Sequence, residues 1–245
     1  MKNFKLIIEY DGTFFHGWQK QKEDRTLQEE IEKAIRIMTG KKIVLTASGR
    51  TDAGVHALGQ TANFLCDTKI TPEAFLRGLN SLTSTEIVIK ECVLVDNDFH
   101  ARYNVKSKTY MYRILNRPVP GALFRQYAWF IPKKLDIDAM DAAMLHIIGT
   151  HDFKAFEGAG SPRSSTVRTI TSAGLEQLEH GYISLEFKGN GFLRFMVRNI
   201  TGTLVDVGLG KICPDDLMGI LNSKDRSLAG TTAPPQGLCL MKVEY

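Results

Sequence analysis

A chain of 245 residues with 31 Lys and Arg against 27 Asp and Glu carries a formal net charge of +4, and 43% of it is hydrophobic. That composition belongs to a folded globular protein of one large or two ordinary domains, and it excludes a disordered or collagen-like chain. The small basic excess permits an anionic partner without identifying one, because local clustering sets the field. The cysteines, Cys66, Cys92, Cys213 and Cys239, are widely spaced and form no C-x-x-C. Their spacing argues against zinc or a disulfide scaffold and for small buried hydrophobes in a reducing compartment. The opening MKNFKLIIEYDG holds no long apolar segment and no small-residue cleavage site, and no stretch has the length needed to cross a bilayer, so a cytoplasmic location is expected.

Phe4 to Tyr10 is apolar and β-rich and predicts a strand. Thr26-Leu27-Gln28-Glu29 has the form of a capping box, and Leu27, Ile31, Ala34, Ile35 and Met38 then share one helical face as far as Gly40. Strands are expected at Ile43–Ala47 and Gln60–Cys66. A second helix opens at Thr71-Pro72-Glu73, with threonine as cap and proline in the first position, and Ile87–Val95 forms a further strand. Strand, helix, strand, strand, helix, strand is the split β-α-β order of ferredoxin-like domains. In the second half, Lys108–Leu115 alternates as a strand with Tyr110, Tyr112 and Ile114 on one face. A helix lies around Asp136–Ile148, and residues 150–165 form a Gly- and Ser-containing loop. A hairpin joins Thr169–Glu179 to Tyr182–Lys188 through His180-Gly181. A helix over Leu193–Val207, another from Pro214 and a last strand at Gly237–Val243 complete the chain. Similar elements thus recur in similar order. The expected fold class is α+β, with two ferredoxin-like domains, 1–104 and 105–245, whose largely antiparallel sheets flank a central cleft.

Three stretches carry candidate chemistry. SGRTDAGVHA (48–57) sets Arg50, Asp52 and His56 in a glycine-bounded loop after a strand, where scaffolds commonly hold reacting groups. An aspartate there also suits a plain turn, and a metal would find only His56 as a second ligand nearby. Tyr110 and Tyr112 lie among Arg102, Lys106, Lys108 and Arg113. Aromatic faces between cations suit unstacked bases and phosphates, although an inward core role fits Tyr112 better. In GNGFLRFMVRNITG (189–202), Arg194 and Arg198 are expected one turn apart on a common helix face. Arg198 sits inside an apolar run, so it needs an anionic partner, and a carboxylate such as Asp52 would satisfy it with a bidentate pair. A fourth stretch, YDGTFFHGWQKQ (10–21), is a Gly- and aromatic-rich loop that either faces RNA or is simply an ordered turn.

GRTDAGVHA (49–57), FHARYNVKSKTYMYRI (99–114), GFLRFMVRNITG (191–202) and PPQGLCL (234–240) follow one another in the order of the tRNA pseudouridine synthase A family, which the chain resembles over almost its whole length. YDGTFFHGWQ is similar to that family's opening as well. The resemblance implies an isomerase that converts uridine to pseudouridine at positions 38, 39 and 40 of the tRNA anticodon stem-loop. It implies a homodimer, an RNA-binding role for the cleft, and neither cofactor nor metal. It makes Asp52 the catalytic residue, which attacks ribose C1′ or removes a ribose proton, and Arg198 its ion-pair partner. Arg50 then holds the flipped-out nucleotide, while Tyr110 packs against the target base and takes part in proton removal. Arg194 stands where related sequences can carry histidine and receives no catalytic role. Arg102, Lys108, Lys154 and Arg163 are expected to contact RNA, although the loop over 153–168 matches the family only loosely. Two other classes compete with a synthase. An RNA-binding module has no use for Asp52 opposite Arg198, and a glycosidase-like hydrolase needs a second carboxylate, for which Asp152 and Glu157 are the candidates.

Overall fold

The computed structural model describes residues 1–158, Gly160 and 164–245. It divides into two compact units, Met1–Lys106 with Leu240–Tyr245, and Ser107–Cys239. The last six residues therefore group with the first unit, whereas the sequence division at 104/105 keeps the whole tail with the second. The described residues form a mixed α/β structure in which strands pair mostly antiparallel.

In the first unit the order is β1 (Lys2–Tyr10), α1 (Leu27–Thr39), β2 (Thr46–Ala47), β3 (His56–Cys66), α2 (Pro72–Leu82) and β4 (Ile87–Val95). β1 lies between β3 and β4, antiparallel to both, with Leu6 opposite both Ala62 and Cys92. Its alternate residues Phe4, Leu6, Ile8 and Tyr10 are buried, as period-2 patterning requires. The rings of Phe4, Phe64 and Phe75 meet at centroid separations of 4.8–5.4 Å and join the sheet to α2. α1 buries Leu27, Ile31, Ala34 and Ile35 and ends at Gly40, whose φ of 69° is left-handed. α2 starts as expected, with the Thr71 hydroxyl accepting from the Ala74 amide and Pro72 in the first turn.

Two local expectations do not hold in the first unit. The capping box does not form: the Thr26 side chain makes no cap bond, and its buried hydroxyl has no hydrogen-bond partner. Glu29, the residue that would reach back, lies 3.3 Å from Lys20 and 3.7 Å from Lys33 instead. The strand expected over Ile43–Ala47 shrinks to Thr46–Ala47. Side chains from α1 take the backbone groups a ladder would use, since Gln28 donates to the Leu45 carbonyl and Glu32 accepts from the Leu45 amide. β3, in turn, begins earlier than expected and carries His56 and Ala57.

The second unit contains β5 (Ser107–Asn116), β6 (Trp129–Ile131), α3 (Ile137–Leu145), β7 (Gly149–Asp152), β8 (Val167–Gln177), β9 (Tyr182–Gly189), α4 (Met196–Gly208) and α5 (Asp216–Ser223). The last strand, β10 (Leu238–Glu244), passes into the first unit at Leu240. β5, β9, β8 and β7 pair in that order, all antiparallel, and β6 pairs parallel with β5. His180 and Gly181, with φ of 60° and 81°, turn the β8–β9 hairpin at the place the sequence predicts. The stretch read as a loop over 150–165 instead continues β7 to Asp152 and then makes a 3-10 turn at Phe153–Phe156.

α4 is the structural centre of this unit. Of its 13 residues all but Arg198 are buried. Gly202 permits this packing: a Cβ there would lie 1.6 Å from the Thr231 carbonyl oxygen. Gly202→Ala is therefore expected to destabilise the protein by about 3 kcal/mol or more, at the upper end for overpacking a core. A denaturant melt of the variant checks this.

The cysteines divide. Cys66 and Cys92 are buried, and burial pushes both thiols up, Cys92 to about 12. Cys213 is exposed and Cys239 half-buried, so the expectation of four buried hydrophobes holds for two.

Candidate active site

The loop between β2 and β3 holds Arg50 and Asp52, and its shape is imposed from outside the loop. Trp18 N–H donates to the Thr51 carbonyl at 3.1 Å, and Gly54 N–H donates to the Phe15 carbonyl at 3.3 Å. The hydroxyls of Tyr10 and Thr51 share a 2.7 Å hydrogen bond. His56, almost fully buried, places Nδ1 3.1 Å from both the Gly12 amide, which donates to it, and Asp11 Oδ1. From the other side Ser48 Oγ bonds Gln60 Oε1, and Gln60 Nε2 donates to the Gly49 carbonyl. Within the loop, Val55 N–H donates to the Asp52 carbonyl at 3.2 Å.

Two glycines of the opening stretch make room for this. A Cβ on Gly12 would fall 2.1 Å from the Val55 carbonyl oxygen. On Gly17, whose φ is +86°, it would fall 2.7 Å from the Thr51 oxygen and 3.1 Å from the Asp52 carbonyl carbon. Residues 10–18 are thus the wall against which the Asp52 loop is cast. The sequence offered one signal for this, two glycines spaced among aromatics, and no indication of what approached them. His56, expected as a group that can move charge, is instead buried against that wall, its Nδ1 accepting from the Gly12 amide. Asp52 is half-buried and Arg50 is exposed.

In the second unit Tyr110 and Tyr112 part company. Tyr112 is fully buried, its hydroxyl donates to the Pro234 carbonyl at 2.7 Å, and burial pushes its ionisation well above the ordinary tyrosine range. It is a core residue. Tyr112→Phe is expected to cost about 1 kcal/mol, the scale of one lost hydrogen bond, with catalysis retained, which a melt alongside an activity assay would read. Tyr110 retains 8% of its surface and stands edge-on to Phe192, ring centroids 5.2 Å apart. Its hydroxyl-bearing ring thus packs against another aromatic on the buried face of β5 that it shares with Tyr112.

Arg198 enters from the first turn of α4. Its Nε donates to the Ala233 carbonyl at 2.7 Å, and the Ala233 amide donates to the Arg198 carbonyl at 3.1 Å, so residues around 233 hold the arginine stem. Phe195, just before the helix, has φ of 60°. Left-handed backbone in a residue with a Cβ is strained, and it rotates Arg194 off the helical face. Arg194 and Arg198 therefore do not share a helix face as expected; their guanidinium carbons lie 4.7 and 4.9 Å from the Phe195 ring centroid instead. Gly158 makes this possible, because a Cβ there would lie 2.3 Å from the Phe195 ring.

Of the expected RNA contacts, Arg102 is exposed and Lys108 half-buried. Lys154 is directed to Glu157, 2.8 Å from its carboxylate. Arg163 lies outside the described residues. Asp152, a candidate second carboxylate for a hydrolase, accepts from the Thr166 hydroxyl and pairs with Lys224 at 2.9 Å, and these partners hold its carboxyl below the usual range. A general acid needs the opposite shift. No group of three or more His, Cys, Asp or Glu among the described residues is arranged to hold a metal ion, and no described helix is long and apolar enough to cross a membrane.

A family model described as tRNA pseudouridine synthase matches residues 6–104 and 143–245. The chain is 49% identical over 245 residues to a tRNA pseudouridine synthase A of Acetivibrio thermocellus, covering 100% of both chains. It is 49% identical to one of Thermoanaerobacter sp. and 47% identical to one of Caldicellulosiruptor bescii, again over 100% of both chains.

Proposed function

The chain belongs to the tRNA pseudouridine synthase family, an isomerase family, and on that premise we propose that it converts uridine to pseudouridine at positions 38, 39 and 40 of the tRNA anticodon stem-loop. The observation that carries the proposal is the clamped loop around Asp52, a carboxylate on a backbone fixed by hydrogen bonds from residues 12–18 and from Gln60. Catalysis by a positioned group depends on such rigidity.

The reaction breaks the bond from uracil N1 to ribose C1′, turns the base and rejoins it through C5. Nothing is oxidised or hydrolysed. In the proposed mechanism, ionised Asp52 starts the reaction by attack on C1′ or by removal of a ribose proton. Arg198 is its ion-pair partner and orients it. Tyr110 packs against the freed base and accepts the C5 proton. The target nucleotide leaves the stem at a cost on the order of a few kcal/mol, and Arg50 occupies the vacated place. Arg102, Lys108, Lys154 and Arg163 meet phosphates, so binding weakens as salt rises. Homodimerisation in the cytoplasm completes the proposal.

The test is to incubate the purified chain with unmodified tRNA transcripts carrying uridine at 38, 39 or 40 and to map the product. Pseudouridine at those positions is expected. Pseudouridine confined to another arm of the tRNA would contradict the assignment.

A further inference from the structure

The aromatic and cationic residues of 99–114 are only partly used by the reaction above. Tyr112 is core and Tyr110 is nearly covered, yet Tyr103 is 74% exposed. Its position is nonetheless fixed. The turn that carries it is tied to β1 and β3 by a buried amide pair, Asn3 and Asn63. Asn3 Nδ2 donates to the carbonyls of Asp96 and Phe99, Asn63 Nδ2 donates to Asn3 Oδ1, and the Ala101 amide donates to Asn63 Oδ1. Ala101 is fully buried, and its carbonyl accepts from the Tyr245 hydroxyl, whose ring lies 4.9 Å from Phe99. Within the turn His100 Nδ1 accepts from the amides of Arg102 and Tyr103, and Asn104 Oδ1 accepts from the His100 amide.

Side chains then stand outward from this rigid base. The His100 ring lies 4.2 Å from the Tyr103 ring at 31°, and the Arg102 guanidinium carbon is 5.7 Å from the same ring. Lys106, two residues beyond the turn, is also exposed. An aromatic face this open adds little to folding. Backed by the His100 ring, flanked by the Arg102 guanidinium and carried on a hydrogen-bonded turn, it has the properties of a base-stacking surface, and it loses little entropy on binding.

We propose that Tyr103 is a stacking platform for an unpaired base of the bound tRNA, with Arg102 meeting the neighbouring phosphate. The proposal rests on tRNA being the substrate and adds a contact that the isomerisation itself does not require. Stacking is blind to base identity but needs an unpaired base, whereas a phosphate contact is indifferent to pairing.

The experiment measures affinities of the native chain, Tyr103→Ala, Tyr103→Phe and Arg102→Ala for an unmodified tRNA transcript and for a fully paired RNA duplex, each across a salt series. Tyr103→Ala should weaken tRNA binding about tenfold, on the scale for losing one stacked base, with duplex binding and salt slope unchanged. Tyr103→Phe should bind like the native chain. Arg102→Ala should weaken both RNAs and lower the salt slope by about 1. Native tRNA affinity in Tyr103→Ala, or an equal loss on duplex, overturns the platform, as does a change in oligomeric state without a change in tRNA affinity. Pseudouridine formation by the native chain is scored separately, so its absence counts against the proposed function and not against the platform.

Discussion

Asp52→Asn is expected to reduce pseudouridine formation by about 10⁴-fold or more, the scale for removing one member of a catalytic unit, while tRNA binding survives. The substitution keeps the side chain's size and removes its charge. The loop should hold its shape, because the bonds that clamp it run through the carbonyls of Gly49, Thr51 and Asp52 and the amides of Gly54 and Val55. The fall must then appear in kcat, read by single-turnover assay, with the tRNA affinity near the native value. A variant that binds and reacts normally would remove Asp52 from the chemistry.

Gly17→Ala should damage catalysis without touching any group proposed to react. Left-handed backbone at φ +86° costs an alanine about 1–2 kcal/mol. The new methyl would also press on the peptide that carries Asp52, with the Thr51 oxygen 2.7 Å away and the Asp52 carbonyl carbon 3.1 Å away. Backbone cannot swing aside as a flexible side chain can, so the Asp52 loop must move. A displacement of about 1 Å at a reacting group costs on the order of 100-fold. The expected result is a hundredfold lower kcat with a melting temperature lowered by only a few degrees. Native kcat in a folded Gly17→Ala protein would show that the wall formed by residues 10–18 does not position Asp52.

The existence and order of the elements were legible because they follow from local patterning. β1 shows its alternation in sequence, and Thr71-Pro72 starts α2 where its chemistry dictates. The Asp52 loop was legible from its glycines, and the alternation of β5 placed Tyr112 on its buried face together with Tyr110. What local pattern missed depends on residues distant in the chain. β2 is short because Gln28 and Glu32 reach the backbone of Leu45. Arg194 leaves the face of Arg198 because Phe195 takes a left-handed φ just before α4 begins at Met196, with Gly158 leaving room for its ring. Thr26 has the sequence of a cap and lacks its bond, and the Glu29 carboxylate that would complete a capping box pairs with Lys20 and Lys33. The function of residues 10–18 as a wall emerges only once Gly12 and Gly17 are seen against Val55 and Thr51.

The most direct test of the central claim is tritium release from a tRNA transcript labelled at uracil C5, incubated with the native chain and no added cofactor. Rejoining through C5 expels the C5 hydrogen, so release to water should match pseudouridine formed, one for one, with no free uracil. Free uracil would mean that the N1–C1′ bond is hydrolysed, and bound tRNA without release would mean a binding module; either result contradicts the isomerase account.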